Sequence, residues 1–252
     1  MRLASLGSGS RGNATLIESG AMCLLIDCGL SVSRVQSGLR RLGRTLDDLT
    51  AIVVTHEHSD HIGGVERLAR RLGLTVWMTA GTASAFGARQ GVDVTLFSSH
   101  QPFTHNGVSI HPFPVPHDAR EPTQLVIDDG RCRFGVLTDL GSVTPHVVEM
   151  LTACDALLLE CNHDPDLLMR GEYPAALKRR VGAIGGHLSN QQAADLLARL
   201  DHARLRCVVA AHLSEKNNHP DLAIAALHEV LGDIDRLQVA DQEAGLDWVV
   251  VD

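Results

Sequence analysis

The sequence predicts an α/β fold in which two β-sheets face each other and helices cover their outer sides. From about residue 51 onward, apolar β-branched runs of strand length alternate with segments of helical periodicity. The chain also divides into two halves that are each rich in strands and carry helices, which favours layered packing. A length of 252 residues without a linker or a sequence repeat predicts a single domain over 1–252.

Local signals along the chain predict the individual elements. Strands are expected where apolar residues run or alternate, at 2–6, 14–18, 21–26, 51–55, 75–79, 94–97, 108–117, 124–127, 132–138, 156–159, 207–211, 237–239 and 246–251. Helices are expected at 31–42, 63–72, 82–87, 145–151, 174–181, 191–200 and 220–231. Three prolines exclude a helix from the extended run 108–117, and an Asp-Asp-Gly turn at 128–130 predicts a hairpin.

Composition is that of an ordinary globular protein, with 44% hydrophobic and 21% charged residues. The net charge of −8 argues against a generally basic nucleic-acid coat, although metal ions can supply positive charge locally. The N-terminal segment turns to Gly and Ser before a signal-peptide core forms, and no apolar run approaches the roughly 18 residues of a membrane span. We therefore expect a cytoplasmic protein without a membrane partner, and six scattered cysteines predict reduced core thiols. Oligomeric state is not predicted.

A dense group of metal-ligand residues follows the predicted strand 51–55. Within six positions the chain carries His56, His58, Asp60 and His61. The spacing of two between His56 and His58 points both imidazoles to the same side of an extended chain, so both can bind one ion. Asp60 and His61 follow where the chain turns into a helix, which directs them to a second point nearby. One short segment can thus contribute to two metal sites, and the adjacent Gly63-Gly64 permits close backbone approach.

Other polar residues also stand at or just beyond the ends of apolar strands. This set comprises Asp27, His56, His117, Asp139, Glu160 and His212. Strand ends converge on one rim in layered α/β folds, and a buried carboxylate such as Asp27 needs partners there. We expect Asp27 to support a metal ligand through a hydrogen bond.

The H-x-H-x-D-H motif at 56–61 resembles that of the metallo-β-lactamase-fold hydrolases. The resemblance implies a four-layer αββα sandwich and two divalent metal ions, which could be zinc, manganese or iron because His/Asp sites accept all three. Matched position by position, the first ion is assigned the ligands His56, His58 and His117. The second ion is assigned Asp60, His61 and His212, with Asp139 as the bridging carboxylate.

Five shorter motifs, at 8–13, 116–118, 138–141, 186–190 and 211–218, resemble the YycJ/WalJ type within that superfamily. This resemblance extends over nearly the whole chain. It implies metal-dependent exonuclease action on DNA in the 5′ to 3′ direction, with DNA as substrate. Asp60 and His187 are the expected catalytic residues, and Ser10, Asn13 and Asn217 are expected to contact the substrate.

The expected chemistry can be argued from charge. Two divalent ions carry four positive charges, and Asp60, Asp139 and a metal-bridging hydroxide remove three, which leaves a centre that attracts a phosphodiester. The hydroxide would attack phosphorus in line. His187 stands just before a predicted helix and resembles the histidine that protonates the leaving oxygen in related nucleases.

Two other functions remain open at this point. The same hydroxide could hydrolyse a small carbonyl substrate such as a thioester, a lactone or a β-lactam, although the strand-like segment 246–251 does not resemble the helical C-terminal domain expected of a glyoxalase-II-type enzyme. A non-catalytic, metal-stabilised module that binds DNA or another partner would be favoured by lost ligands, but every ligand position is filled. The basic run 178–180 contacts either solvent or a nucleic-acid backbone.

Overall fold

The computed structural model describes residues 1–251 and contains two seven-stranded sheets. The strands of the first sheet are β1 (Arg2–Gly7), β2 (Ala14–Ser19), β3 (Met22–Ile26), β4 (Ala51–Val53), β5 (Thr75–Met78), β6 (Asp93–Leu96) and β14 (Leu246–Val250). Those of the second are β7 (Phe103–His105), β8 (Val108–Pro114), β9 (Thr123–Asp128), β10 (Arg133–Leu137), β11 (Ala156–Glu160), β12 (Cys207–Ala211) and β13 (Leu237–Val239). The orders are β14-β1-β2-β3-β4-β5-β6 and β13-β12-β11-β10-β9-β8-β7.

Helices lie between the strands in sequence and cover the outer faces of both sheets. They are α1 (Val32–Arg41), α2 (Ser59–Ile62), α3 (Val65–Leu72), α4 (Ala80–Phe86), α5 (Pro145–Leu151), α6 (Pro165–Arg170), α7 (Ala175–Val181), α8 (Asn190–Leu197) and α9 (Pro220–Leu231). Single 3₁₀ turns occur at Leu46–Asp48 and Ile234–Arg236. Within residues 1–251, none of the helices combines the length and apolar character that crossing a bilayer requires.

Three hydrophobic layers hold the four structural layers together. The central layer joins the facing sides of the two sheets. It contains residues such as Leu24 and Val53 from the first sheet and Ile127 and Val136 from the second. A second layer joins the first sheet to α1 and α3, and a third joins the second sheet to α5, α8 and α9. This arrangement is the αββα sandwich that the sequence predicts. All six cysteines are buried and free.

Apart from the two 3₁₀ turns, strand β7 and helix α6 are missing from the elements predicted from the sequence. Strand β7 pairs with β8 in a hairpin. The connecting turn Asn106-Gly107 has φ values of 48° and 83°, positive as a type I′ hairpin turn requires. Helix α6 is also absent from the prediction, although the Asp164 side chain accepts a hydrogen bond from the Leu167 amide as its N-cap. Both are short, so neither has enough periodicity to stand out from a loop.

The parallel strands place the polar strand ends at one edge. Strands β3 to β6 are parallel in the first sheet and β10 to β13 are parallel in the second. Glycine allows the two loops above β3 and β4 to touch: a Cβ on Gly29 would lie 1.8 Å from the Asp60 carbonyl oxygen, and one on Gly64 would lie 1.9 Å from that of Leu30. The 56–61 segment is thereby held directly against the end of β3.

Candidate metal centre

Three residues at this edge adopt a left-handed backbone conformation that side chains other than glycine rarely take. Asp27, Asp139 and His212 have φ values of 59°, 57° and 53°. Each follows a buried strand, so the sharp turn directs its side chain back over the sheet edge. A residue in this region costs on the order of 1 kcal/mol or more, and such strain concentrates at functional sites.

The first centre is formed by His56, His58 and His117. His58 Nδ1 lies 3.1 Å from His56 Nε2 and 3.2 Å from His117 Nε2. Zinc–nitrogen bonds of about 2.0–2.1 Å at tetrahedral angles separate ligand nitrogens by about 3.3 Å, so the three atoms are spaced to bind one ion. The structure therefore brings together the three histidines that the sequence assigns to the first ion.

The second centre is formed by Asp60, His61, His212 and Asp139. His61 Nε2 lies 2.6 Å from Asp139 Oδ2 and 3.5 Å from Asp60 Oδ2. His212 Nε2 lies 3.7 Å from the same Asp60 oxygen. His56 also lies beside His61 and Asp139, so Asp139 is placed where the two centres meet.

The charge states of the two centres differ. Burial lowers the pKa of His56 and of His117, which keeps both imidazoles neutral and able to bind a cation. Burial opposes protonation of His61 as well, but the carboxylates of Asp139 and Asp27 outweigh it and hold the pKa of His61 well above its usual value. The pKa of His212 is raised too, because Asp139 and Glu160 outweigh its burial.

Two buried atoms of the second centre lack a hydrogen-bond partner among the described residues. These are Asp139 Oδ2 and His212 Nδ1, which lie 3.1 Å apart without the geometry of a hydrogen bond. An unpaired buried polar atom is costly and needs a physical reason. Lone-pair donors grouped around a common point fit a bound cation, and the donor set of imidazoles and carboxylates suits a divalent metal.

Hydrogen bonds from outside the centres fix the orientation of the ligands. Asp27 accepts hydrogen bonds from the Thr55 amide and hydroxyl, both at 2.8 Å, and its Oδ2 lies 2.8 Å from His61 Nδ1. His117 Nδ1 donates to the Gly186 carbonyl at 3.0 Å. Each bond leaves the Nε2 atom facing the centre, which is how metal-binding histidines are commonly oriented.

His187 lies at the wall of the second centre. Its Nδ1 is 2.8 Å from Glu160 Oε1 and 3.1 Å from Asp139 Oδ1. Burial opposes protonation, but Glu160 and Asp139 raise the pKa of His187 to about 11. His187 therefore carries a proton at neutral pH and can donate it to a bound substrate.

Glu160 belongs to the strand-end residues that the sequence singles out, but it was assigned no specific role there. It is fully buried, and its Oε2 accepts hydrogen bonds from the Leu140 amide at 2.8 Å and the Leu188 amide at 3.1 Å. These bonds connect the loops that carry Asp139 and His187. An acidic residue at the end of a buried apolar strand was the available signal, because such a charge requires several partners.

A cleft of about 330 Å³ opens onto the second centre. Ser10 lines it, as do Asp60, His187 and His212. The other two expected substrate contacts, Asn13 and Asn217, are buried behind its walls at 5% and 1% exposure.

Asn13 and Asn217 have different surroundings. The Asn13 carboxamide Nδ2 lies 3.0 Å from His61 Nε2 and 3.3 Å from Asp60 Oδ2, and its Oδ1 accepts a hydrogen bond from the Gly9 amide at 2.8 Å. Asn13 thus touches the ligands themselves. The side chain of Asn217 instead bonds within its own loop, to Ser214 Oγ at 3.3 Å.

Arg180 and Asp118 form an ion pair on the side of the cleft next to the first centre. Arg180 Nε donates to Asp118 Oδ2 at 2.7 Å, and Asp118 Oδ1 lies 3.5 Å from His117 Nε2. Among the residues that the structure describes, the two Nη groups of Arg180 have no hydrogen-bond partner, and the residue lines the cleft. A guanidinium with free N–H groups beside a metal centre is suited to binding phosphate oxygens.

The chain is similar in sequence to proteins of a known superfamily. A sequence profile described as the β-lactamase superfamily domain matches residues 23–212. The chain belongs to this superfamily. It is 34% identical to exodeoxyribonuclease WalJ of Streptococcus pneumoniae over 98% of this chain and 92% of that protein. It is 33% identical to exodeoxyribonuclease YycJ of Bacillus anthracis over 90% of this chain and 87% of that protein.

Solved structures support the fold. The metallo-β-lactamase fold protein YhfI from Bacillus subtilis matches with a TM-score of 0.74 and 19% identity, over 96% of this chain and 97% of that one. Zn²⁺-bound PqqB from Methylobacterium extorquens matches with a TM-score of 0.72 and 17% identity, over 99% and 100% of the two chains. At these identities the likeness concerns the fold alone. The predicted family and the predicted αββα fold are both confirmed.

Proposed function

We propose that the protein is a metal-dependent exodeoxyribonuclease that hydrolyses DNA phosphodiesters from the 5′ end. The observation that carries the proposal is the near full-length similarity to two exodeoxyribonucleases in a chain that fills every expected ligand position. The polarity follows from the sequence resemblance described above. Among the residues of the cleft, protonated His187 and the unpaired Nη groups of Arg180 supply what phosphodiester hydrolysis needs besides metal ions.

The protein residues fit two divalent cations, which we assign as zinc or manganese, with iron as a further option. His56, His58 and His117 would hold one, and Asp60, His61 and His212 would hold the other, with Asp139 between them. When bound, the cations supply positive charge for the phosphate and activate a water molecule.

The chain itself binds, orients and protonates the substrate in this proposal. Arg180 binds a non-bridging phosphate oxygen through its Nη groups. The Asp60 carboxylate faces His61 and His212 and lines the cleft, so it marks the side of the second centre that a substrate can reach. His187, whose Nδ1 is held by Glu160, would donate its Nε2 proton to the leaving oxygen, and the buried walls exclude bulk water.

The test is hydrolysis of labelled DNA by zinc-loaded and manganese-loaded protein. Linear single-stranded and duplex DNA are labelled separately at the 5′ and 3′ ends, and closed circular DNA serves as the matched control. We expect early release of the 5′ label as a short product, gradual shortening of the 3′-labelled strand, and intact circles. An Asp60→Ala, His61→Ala double variant should lose about 10²–10³-fold or more of the rate.

The alternative functions have their own readouts in the same experiment. If metal-loaded wild-type protein leaves all DNA intact with both metals but opens a thioester, a lactone or a β-lactam, the nuclease proposal is wrong. Cleavage of closed circles at the rate of linear DNA would contradict exonuclease action. DNA binding without hydrolysis of any substrate would support the non-catalytic module instead.

A further inference from the structure

The turn between α6 and α7 brings together residue types that are rare in this chain. The chain contains one tyrosine and only two lysines, against twenty arginines. The tyrosine, Tyr173, lies in the turn between the two helices, and both lysines lie around it. Lys178 Nζ donates to the Met169 carbonyl at 2.7 Å and so ties α7 to α6, while Lys216 Nζ lies 5.9 Å from the centre of the Tyr173 ring.

Tyr173 borders the catalytic cleft. It is the only Phe, Trp or Tyr residue among the described residues that line this cleft, and its side chain is partly exposed. The distance to Lys216 is within the range of a cation–π contact, so the ammonium group occupies one face of the ring.

The backbone fixes the position of this ring. Gly171 approaches the loop after β12 so closely that a Cβ there would lie 2.6 Å from Asn217 Oδ1. In the same loop, the Asn217 carbonyl oxygen accepts a hydrogen bond from the Asp164 amide at 2.9 Å. The turn that carries Tyr173 and the loop that carries Lys216 are therefore packed on each other, and Asn217 lies between them.

We propose that Tyr173, supported by Lys216, is a stacking platform for a nucleobase that flanks the scissile phosphate, an inference that rests on the proposed function. A phosphate at the metal centres leaves the attached bases to contact the cleft wall, and every nucleobase has an apolar face that stacks on an aromatic ring. Stacking of this kind tolerates any sequence, which suits a nuclease that must process successive nucleotides. The platform adds binding of bases to a cleft whose other lining groups are mainly polar or charged.

The test compares DNA with and without a base at the two positions that flank the first scissile phosphate. Three oligonucleotides are used: one natural, and two with an abasic residue at either flanking position. Manganese-loaded wild-type protein should show a kcat/KM for natural DNA about 5- to 150-fold above that for one of the abasic substrates, equivalent to ~1–3 kcal/mol for one stacked base. Because all three substrates carry the same phosphates, the ratio isolates the base.

Variants then test whether the Tyr173 ring is the cause of this ratio of kcat/KM values. Tyr173→Phe should keep the preference for natural over abasic DNA, and Tyr173→Leu should abolish it, with a ratio of about 1. Lys216→Ala should reduce the preference by about 2- to 5-fold, as expected for an exposed cation–π contact. Leu167→Ala, which alters an exposed apolar residue of α6 outside the cleft lining, is the matched control and should leave the ratio unchanged.

The outcomes separate this proposal from the proposed function. Equal hydrolysis of all three oligonucleotides by wild type, or an unchanged ratio in Tyr173→Leu, would overturn the platform and leave the exonuclease assignment standing. Hydrolysis of none of them would overturn both. Thermal unfolding of each variant checks folding, and if Tyr173→Leu does not fold, the ratios of Tyr173→Phe and Lys216→Ala decide.

Discussion

The two centres are built from similar ligands but are held in different ways. The first centre contains only imidazoles, and one of them, His58, has a side chain that is 28% exposed. The second centre contains carboxylates, and the side chains of His61, Asp139 and His212 are at most 2% exposed. The first centre thus has no carboxylate and one partly exposed imidazole, whereas the second combines two buried histidines with carboxylates, of which Asp60 is 20% exposed toward the cleft.

This difference shows how the protein keeps charged groups in its interior. In the second centre, His61 is positively charged between Asp27 and Asp139, so protons supply the charge balance in the absence of a cation. The first centre needs no such balance because burial keeps His56 and His117 neutral. The second centre should therefore contribute more to folding stability and respond more strongly to pH.

Removal of one histidine from each centre tests this contrast most directly. His61→Ala should destabilise the metal-free protein by about 3–5 kcal/mol, because it leaves the buried carboxylates of Asp27 and Asp139 without their cationic partner. His58→Ala, at a partly exposed position, should cost less than about 1 kcal/mol. Urea unfolding in the presence of a chelator measures both. Equal losses would show that the two centres do not differ in this respect.

Glu160→Gln tests the connection between the second centre and His187. The substitution keeps the shape but removes the charge that orients and protonates His187, and we expect kcat to fall about 10- to 100-fold. Steady-state hydrolysis of labelled DNA gives the rate, and metal analysis checks that the ions remain bound. Glu149→Gln on α5, where the side chain is 79% exposed, is the matched control and should behave as wild type. An unchanged kcat in Glu160→Gln would show that the charge of Glu160 does not support His187 in catalysis.

Metal affinity should depend on pH more steeply at the second centre than at the first. The pKa values of His61 and His212 are raised, so both carry protons at neutral pH and must release them to bind a cation. Raising the pH therefore strengthens binding, by about tenfold per pH unit for each proton released. Below neutral pH, the first centre should retain its ion longer because the pKa values of His56 and His117 are lowered. Calorimetric titration in buffers of different ionisation enthalpy counts the protons, and equal counts at both centres would contradict the contrast.

The smallest effect is expected from the hydrogen bond that supports the strained backbone of the second centre. Ser8 Oγ accepts a hydrogen bond from the His212 amide at 2.8 Å, and His212 has a φ of 53°. Ser8→Ala should destabilise the protein by about 1 kcal/mol. Ser37→Ala, at an exposed position of α1, should have no measurable effect in the same unfolding experiment. A stability of Ser8→Ala equal to that of the control would mean that the turn at His212 needs no such support.

The sequence alone predicted the candidate ligand types and their division into two groups, and it determined the layered fold. These features are visible because the 56–61 segment is contiguous and because each remaining ligand follows an apolar strand. Tertiary structure decided what no local pattern contains. The pairing of Glu160 with His187, the burial of Asn13 against His61 and the contact of Lys216 with the Tyr173 ring join residues 27 to 48 positions apart. Such contacts depend on sheet order and on left-handed turns at strand ends, which are set by the packing of the whole chain.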